Sequence, residues 1–246
     1  MSMELEDFRE ATAGDLLVLA SLHREEIDAE KLAELKRLGF PDALAFRLQS
    51  EFGQQALSLL SNALGELPEP PDAALIDELA ADYASIYLNN SYGAFPAESV
   101  WIDEDSLTMQ EPMFQIRDWY RKHGLAVPDW RARSDDHLVH QLEFISHLLR
   151  EGGENSLADV ARFSDEHLLR WIVDFARRVA SRCDTPLYAG LVSVTAAYVD
   201  ELRDVLALIL EEPRPTCEEI DERMRPKVEV AVAAPQAYVP GTAPSW

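Results

Sequence analysis

The densest group of side chains capable of chemistry lies between residues 135 and 147, in the run Asp-Asp-His-Leu-Val-His-Gln-Leu-Glu-Phe-Ile-Ser-His. At about 100° per residue, four polar members of this run fall within roughly 60° of one helix face. They are Asp136, His140, Glu143 and His147. Imidazoles and carboxylates are ligands that transition metals accept. The spacing therefore allows a metal-dependent enzyme as one hypothesis.

Other catalytic patterns are missing from the sequence. It contains no His-Glu-x-x-His, no Gly-x-Ser-x-Gly and no glycine-rich phosphate loop. His140 precedes Glu143 by three residues, which is the reverse of the Glu-x-x-His order in di-iron helix bundles. Cys183 and Cys217 cannot build a disulfide framework or a four-ligand zinc site by themselves. These residues therefore make a weak case for an enzyme and indicate no cofactor, and the metal-dependent enzyme remains an alternative.

A second candidate site is the connection formed by residues 89–111, which we call the aromatic loop. Long loops inside compact domains are uncommon and are often functional. Its aromatic and proline side chains include Tyr92, Phe95, Pro96 and Trp101, and an acidic run follows at residues 103–105. Such a surface suits a peptide that is apolar in one part and cationic in another. The alternative is that Phe95 and Trp101 fill a gap between helices.

The elements that must position these residues are predicted to be helices. Apolar side chains recur at helical spacing in two long segments; they are Leu75, Leu79, Tyr83 and Ile86, and then Leu138, Leu142, Ile145 and Leu149. Asp72, the pair Thr185-Pro186, and Thr216 with Glu219 are typical helix starts. No segment of the body alternates as a strand does. We predict an all-α fold of about eight to ten helices.

Domain organisation is predicted from the same helix-start residues and from the distribution of proline. A single helical domain should span residues 1–225, with a further non-helical connection near residues 125–134. The proline-rich residues 226–246 should form a mobile or extended tail, in which Val228, Val230 and Val232 alternate.

Charge restricts the possible partners. Asp and Glu number 45 against 22 Lys and Arg, which leaves a formal net charge of −23. Such a surface repels nucleic acid and anionic lipid and attracts a basic partner. No apolar run reaches the ~18–20 residues of a transmembrane helix, and the acidic N-terminus is unlike a secretory signal. We predict a cytoplasmic protein, monomeric or dimeric, that binds no nucleic acid and does not insert into a membrane.

Several segments occur in an order that is typical of one family. They are residues 98–103, 115–125, 136–138, 142–144, 163–171 and 186–191. The most specific parts are the Asp-His step before Leu-x-x-x-Leu-Glu-Phe and the His-Leu-x-x-Trp segment. Together these segments resemble the TorD/DmsD family of redox-enzyme maturation chaperones over roughly residues 75–210.

The resemblance implies an all-helical cytoplasmic chaperone that is not an enzyme and has no cofactor of its own. Members of the family bind the twin-arginine signal peptide of a molybdenum-containing oxidoreductase subunit and delay its export until the molybdopterin cofactor is inserted. Some also engage the apo-form of that catalytic subunit. By motif, Asp136 and His137 match the signal-binding region, whereas Glu98, Ser99 and Trp101 match the loop that borders the same groove.

This implication agrees with the side-chain chemistry, since a twin-arginine leader carries two adjacent arginines followed by an apolar segment. Asp136 or Glu143 could accept the guanidinium groups, and His137 could shape the groove by a hydrogen bond. The predicted signal-peptide-binding residues are Tyr92, Phe95, Pro96, Glu98, Ser99, Trp101, Asp136, His137 and Glu143. An acidic helical adaptor for another basic partner is the remaining alternative.

Overall fold

The fold is a bundle of helices, as given by a computed structural model that describes residues 2–153 and 155–225. Within these residues the α-helices are α1 (Ser2–Arg24), α2 (Ala29–Leu38), α3 (Glu51–Glu66), α4 (Ala73–Tyr83), α5 (Ser99–Ile102), α6 (Glu111–Lys122), α7 (Leu138–Glu151), α8 (Ser156–Glu166), α9 (Ile172–Ala180), α10 (Pro186–Leu210) and α11 (Cys217–Met224). A π-helical segment, Ala84–Leu88, continues α4, and a 3-10 turn, Leu168–Arg170, precedes α9. Among the described residues the only β-pairing is one isolated bridge between Ala97 and His137. The all-α prediction is confirmed.

The chain divides into two compact units. The first comprises Met1–Pro215 and holds α1 to α10. The second begins at Thr216, and its helix α11 starts with the predicted capping box, in which Thr216 and Glu219 bond each other's backbone. The tail predicted for residues 226–246, including Val228, Val230 and Val232, lies outside the described residues.

Helix α10 is the centre of the first unit and packs against α3, α8 and α9, while α1 packs along α7. Gly190 permits the close approach of α10 to α3, because a Cβ at this position would lie 2.8 Å from Leu60 Cα. The largest fully buried side chains are Trp171, Tyr188, Tyr198, Phe163 and Phe175. In the described part of the chain no helix, α10 included, is both long and apolar enough to cross a membrane.

Helix α10 begins at the predicted pair, with Thr185 before the helix and Pro186 as its first residue. Thr185 is the N-cap residue, but its side chain does not cap the helix. Instead the buried Asp82 of α4 accepts hydrogen bonds from Thr185 N at 2.8 Å and from Thr185 Oγ1 at 2.6 Å. A carboxylate near a helix N-terminus is favourable because it meets free N–H groups and the positive end of the helix dipole. A carboxylate more than 100 positions earlier thus holds the residue that precedes α10.

Two connections shape the surface between these helices. The aromatic loop is interrupted by the short helix α5 and ends where α6 begins. The second connection runs from α6 to α7 and covers the predicted non-helical residues 125–134. Both connections reach the start of α7, where the candidate site lies.

Candidate functional site

The Asp-His step lies immediately before α7. His137 is the N-cap residue, and its Nδ1 atom accepts a hydrogen bond from Val139 N at 3.2 Å. Asp136 therefore precedes the helix and does not share its polar stripe. The prediction that Asp136 lies on one helix face with His140 and Glu143 is wrong, because the helix begins two residues later.

The remaining polar side chains of α7 do not form a metal site. The Nδ1 atom of His140 lies 3.3 Å from Glu143 Oε2, and Glu143 also pairs with Arg24 of α1. His147 joins no such group: within the described residues no three His, Cys, Asp or Glu side chains are placed to hold a metal ion. Because the carboxylate of Glu143 already has a cationic partner, this face serves to join α7 to α1.

Asp136 connects the aromatic loop to the start of α7. Its Oδ2 atom accepts a hydrogen bond from Ser99 N at 2.8 Å. Its carbonyl accepts from Glu98 N at 3.1 Å and from Gln141 Nε2 at 2.8 Å. Asp136, Glu98 and Ser99 are all fully buried. An enclosed carboxylate that already holds a backbone N–H positions the loop and has no surface to offer a peptide.

Glu98 extends the same buried network. Its Oε1 atom lies 3.1 Å from His167 Nδ1, and its Oε2 atom accepts from Gln141 Nε2 at 3.3 Å. Beside it, the carbonyl of Pro96 accepts from Leu138 N at 2.8 Å, so the backbone of the loop is joined to the first residue of α7. We call the group Glu98, Ser99, Asp136, Gln141 and His167 the loop anchor.

Phe95 and His137 lie side by side in the wall of a pocket of about 160 Å³. Their rings meet edge to face, with centroids 6.3 Å apart. The pocket is completed by the end of α1, the end of α4 with its π-helical continuation, and the two connections. These parts contribute His23, Tyr83, Tyr87, Leu88, Thr108, Met109, Arg131, Ala132, Arg133 and Ser134. We call this cavity the aromatic pocket.

A hydrogen-bonded chain forms part of the pocket wall. His23 Nδ1 lies 2.6 Å from Tyr87 Oη, and His23 Nε2 lies 2.8 Å from Thr195 Oγ1. The Thr195 hydroxyl donates to the carbonyl of Leu191, so it must accept from His23 Nε2–H. Nδ1 then accepts from the Tyr87 hydroxyl. Burial lowers the pKa of His23 to about 3, and its imidazole is neutral.

The two histidines that line the aromatic pocket are neutral. Of its two arginines, one is hydrogen-bonded and the other is exposed. Burial lowers the pKa of His137 well below its usual value, and the positive charge of the nearby Arg133 lowers this pKa further. Arg133 donates from Nη2 to the carbonyl of Arg24 at 2.9 Å, whereas Arg131 is exposed. A pocket with neutral imidazole and aromatic walls and guanidinium groups nearby favours an apolar occupant over a cationic one.

Trp101 supports the pocket from outside its lining. Its Nε1–H donates to the carbonyl of Phe95 at 2.9 Å, and its ring packs edge-on against Phe175. The guanidinium of Arg178 lies over the same ring, 5.2 Å from its centroid. Trp101 thus holds the backbone that carries Phe95 and packs against Phe175 of α9.

Tyr92 is also turned away from the aromatic pocket. Its hydroxyl donates to Asp82 Oδ1 at 2.7 Å, and its carbonyl accepts from Arg182. Burial, with the hydrogen bond to Asp82, raises the pKa of Tyr92. Tyr92 therefore joins the start of the aromatic loop to Asp82, the carboxylate that binds Thr185 before α10.

The structure adds pocket residues that the sequence patterns did not indicate, above all His23, Tyr87 and Arg133. Tyr87 follows Ile86, the last residue of the predicted apolar stripe. The helical spacing of apolar residues predicts burial but not which cavity a side chain lines. His23 and Thr195 are 172 residues apart, so no spacing rule connects them. The available signal was limited to Arg131 and Arg133, two arginines in the connection predicted near residues 125–134.

Comparison with known proteins agrees with this architecture. A model of the nitrate reductase delta subunit family matches residues 47–177, slightly more than half of the chain. Relatives named "Chaperone protein TorD" include one from Vibrio cholerae that is 28% identical over 221 residues, covering 86% of this chain and 99% of the relative. One from Vibrio vulnificus is 26% identical over 207 residues, covering 80% and 95%.

A further relative with the same name, from Aggregatibacter aphrophilus, is 25% identical and covers 74% of this chain and 84% of its own length. These relatives are named as chaperones, which agrees with the prediction that the protein is not an enzyme. The helical fold, the Asp-His step at the start of α7 and the extent of the match lead to one conclusion: the chain belongs to the nitrate reductase delta subunit family, the TorD/DmsD group of chaperones.

Proposed function

We propose that the protein is a cytoplasmic chaperone that binds the twin-arginine leader of a molybdopterin-containing oxidoreductase subunit. Binding would retain the apo-form of that subunit until the cofactor is inserted and would then allow export. The family and the names of the relatives support maturation of a molybdoenzyme. The aromatic pocket is the observation that carries the peptide-binding part of the proposal.

The size of the pocket suits one large apolar side chain. Its volume is about 160 Å³, and a cavity of about 150 Å³ accommodates a benzene molecule. The mouth is bordered by Leu88, which is 67% exposed, and by Met109. An exposed apolar border around a small concave site is typical of a surface that receives a segment of another chain.

The roles proposed for the predicted residues differ accordingly. Phe95 and His137 would contact the leader, because both line the pocket. Asp136 and Glu143 would not accept its arginines, since the first is enclosed with Ser99 N and the second is paired with Arg24. The formal charge of −23 still attracts a leader with two arginines, mainly by raising the rate of encounter.

A peptide titration tests this proposal. The full chain is titrated with a synthetic twin-arginine leader, and Phe95→Ala is compared with Phe52→Ala on the outer face of α3. Phe52 is 43% exposed and does not line the pocket. We expect Phe95→Ala to weaken binding by about 2 kcal/mol, the scale of a buried aromatic anchor, and Phe52→Ala to leave it unchanged.

Two results would contradict the proposal. Wild-type protein that fails to bind the leader would remove the function itself. Equal binding of wild type and Phe95→Ala would remove the pocket from recognition. If a basic peptide without the arginine pair binds as tightly as the leader, the protein is the acidic adaptor that the sequence left as an alternative.

A further inference from the structure

Two cavities lie on the flanks of α2, apart from the aromatic pocket. One is a groove of about 650 Å³ between α2 and the turn that follows α3. Its apolar wall consists of Leu32, Ala33, Leu67, Pro68, Pro70 and Pro71. We infer that this groove, which we call the α2 groove, holds the apolar segment that follows the arginine pair of the leader. The inference rests on the proposed function and assigns a second part of the same ligand.

The α2 groove is an open and preformed surface. Three of its residues are prolines, which have no backbone N–H and restrict the chain, so little ordering is needed when a ligand binds. Lys36 holds the turn at a fixed distance from the helix: its Nζ donates to the carbonyl of Leu67 and to Glu69 Oε1, both at 2.9 Å. Ala33 is exposed and leaves room in the groove. The volume is about four times that of the aromatic pocket and suits several residues of extended chain.

Charge at one end of the groove identifies the occupant. Glu30 lines both the α2 groove and a neighbouring cleft of about 430 Å³ on the opposite flank. The carboxylates of that cleft are Glu25, Glu26, Asp28, Glu30 and Glu34. Its two cations are already paired, Arg24 with Glu143 and Lys31 with Glu34.

Three of those carboxylates are neither ion-paired nor hydrogen-bonded in the part of the chain that the structure describes. Among the described residues, Glu25, Glu26 and Glu30 form no ion pair and accept no hydrogen bond. Glu30 joins an apolar groove to carboxylates that form no ion pair, and this surface is complementary to a peptide in which adjacent cations precede an apolar stretch. At the other end of the groove Arg37 disfavours further cations. A twin-arginine leader has this order of charge and apolar character.

The cleft also adjoins the aromatic pocket along α1. His23 lines the pocket, whereas its chain neighbours Leu22 and Arg24 line the cleft. A leader whose arginines lie in the cleft can therefore reach the pocket on one side and the α2 groove on the other. This arrangement explains why a pocket with two arginines near its mouth is compatible with a cationic ligand.

The test compares two variants with matched controls in the full chain. Ala33→Gln places a polar side chain in the α2 groove, and Ala158→Gln makes the same change on the exposed face of α8. We expect Ala33→Gln to weaken binding of the twin-arginine leader about tenfold, because a polar group would be buried without a partner. Ala158→Gln should stay within twofold of wild type.

The second pair tests the charged end. Glu30→Gln removes a carboxylate shared by both cavities, and Glu212→Gln removes one that lines neither. At low salt, Glu30→Gln should weaken binding of the leader about three- to fivefold, which is a typical scale for an exposed ion pair. The same variant should not affect a leader whose arginines are replaced by glutamine, and Glu212→Gln should affect neither peptide.

The outcomes separate this inference from the proposed function. Wild-type binding that is weakened by Phe95→Ala, but not by Ala33→Gln or Glu30→Gln, would overturn the α2 groove and leave the proposed function intact. Absence of binding to wild type would overturn the proposed function. If Ala33→Gln lowers the melting temperature as well, Ala33→Ser provides a smaller polar change, and unchanged affinity in that folded variant would also overturn the groove.

Discussion

Asp136 and His137 are neighbours in the chain, yet they belong to different parts of the site. Asp136 is fully buried in the loop anchor, where it accepts a hydrogen bond from Ser99 N. His137 lines the aromatic pocket beside Phe95. One two-residue motif therefore contributes to both the scaffold and the proposed binding surface. Resemblance at the level of the motif does not distinguish these two roles.

The backbone explains the division. His137 has an extended conformation, with φ −71° and ψ 142°, and pairs with Ala97 in the isolated bridge. In extended chain, successive side chains point to opposite sides. Asp136 consequently turns into the bundle and His137 turns to the pocket. Opposite them, Phe95 lines the pocket and Glu98 lies in the anchor.

We expect the largest loss of stability at the loop anchor, where a substitution of Asp136 tests whether its role differs from that of His137. Asp136→Ala leaves the buried Ser99 N–H without a partner, so the free energy of unfolding should fall by about 2–3 kcal/mol. Asp103→Ala is the matched control, because Asp103 also accepts a backbone N–H, from Asp105, but in an exposed turn. Chemical denaturation of both variants measures the difference.

For the control we expect a loss below about 1 kcal/mol. Leader binding by the folded fraction of Asp136→Ala should be affected less than in Phe95→Ala. If Asp136→Ala kept its stability and lost leader binding, the two roles would be reversed and Asp136 would belong to the binding surface.

The aromatic pocket should respond to acid through its buried histidine. The pKa of His23 is about 3 in the folded protein, against about 6.5 in an unfolded chain. Because the unfolded state binds the proton more readily, stability from this group is complete above pH 6.5 and is lost as the pH falls toward 3. The loss at pH 5 should be about 2 kcal/mol.

Unfolding measured between pH 7 and pH 4 would check this expectation. His23→Gln should be less stable than wild type at pH 7, since it loses the hydrogen bonds to Tyr87 and Thr195. Its stability should nevertheless decline less steeply below pH 6.5. Parallel pH profiles for wild type and variant would show that His23 is protonated alike in the folded and unfolded states.

We expect the smallest change in stability at Trp101, whose hydrogen bond holds the backbone of Phe95. Trp101→Phe keeps the ring against Phe175 but removes the hydrogen bond to the carbonyl of Phe95. The free energy of unfolding should fall by about 1 kcal/mol, a typical value for one hydrogen bond. Leader affinity should fall less than in Phe95→Ala. A larger loss of affinity than in Phe95→Ala would instead make Trp101 a direct contact.

Local patterns were sufficient for the helices. The apolar stripe from Leu138 to Leu149 predicted α7, and Asp72 predicted the start of α4, where it accepts from Leu75 N at 2.9 Å. These predictions succeeded because a helix places residues three and four apart on one face and leaves its first N–H groups free. The pair Thr185-Pro186 likewise marks the start of α10, although the hydroxyl of Thr185 donates to the distant Asp82 and makes no bond to the first turn.

The family could also be identified from the sequence alone, because several short segments, among them the Asp-His step, occur in the order that is typical of the family. What only the tertiary structure decided is which of those residues are enclosed. Asp136 is hydrogen-bonded to Ser99, which is 37 residues away in the sequence, and His23 is hydrogen-bonded to Thr195, which is 172 residues away. Contacts of that separation follow from how α1, α7 and α10 pack, and no local period encodes them. The sequence thus determined the helices and the family, and packing decided which polar residues build the anchor and which face the pocket.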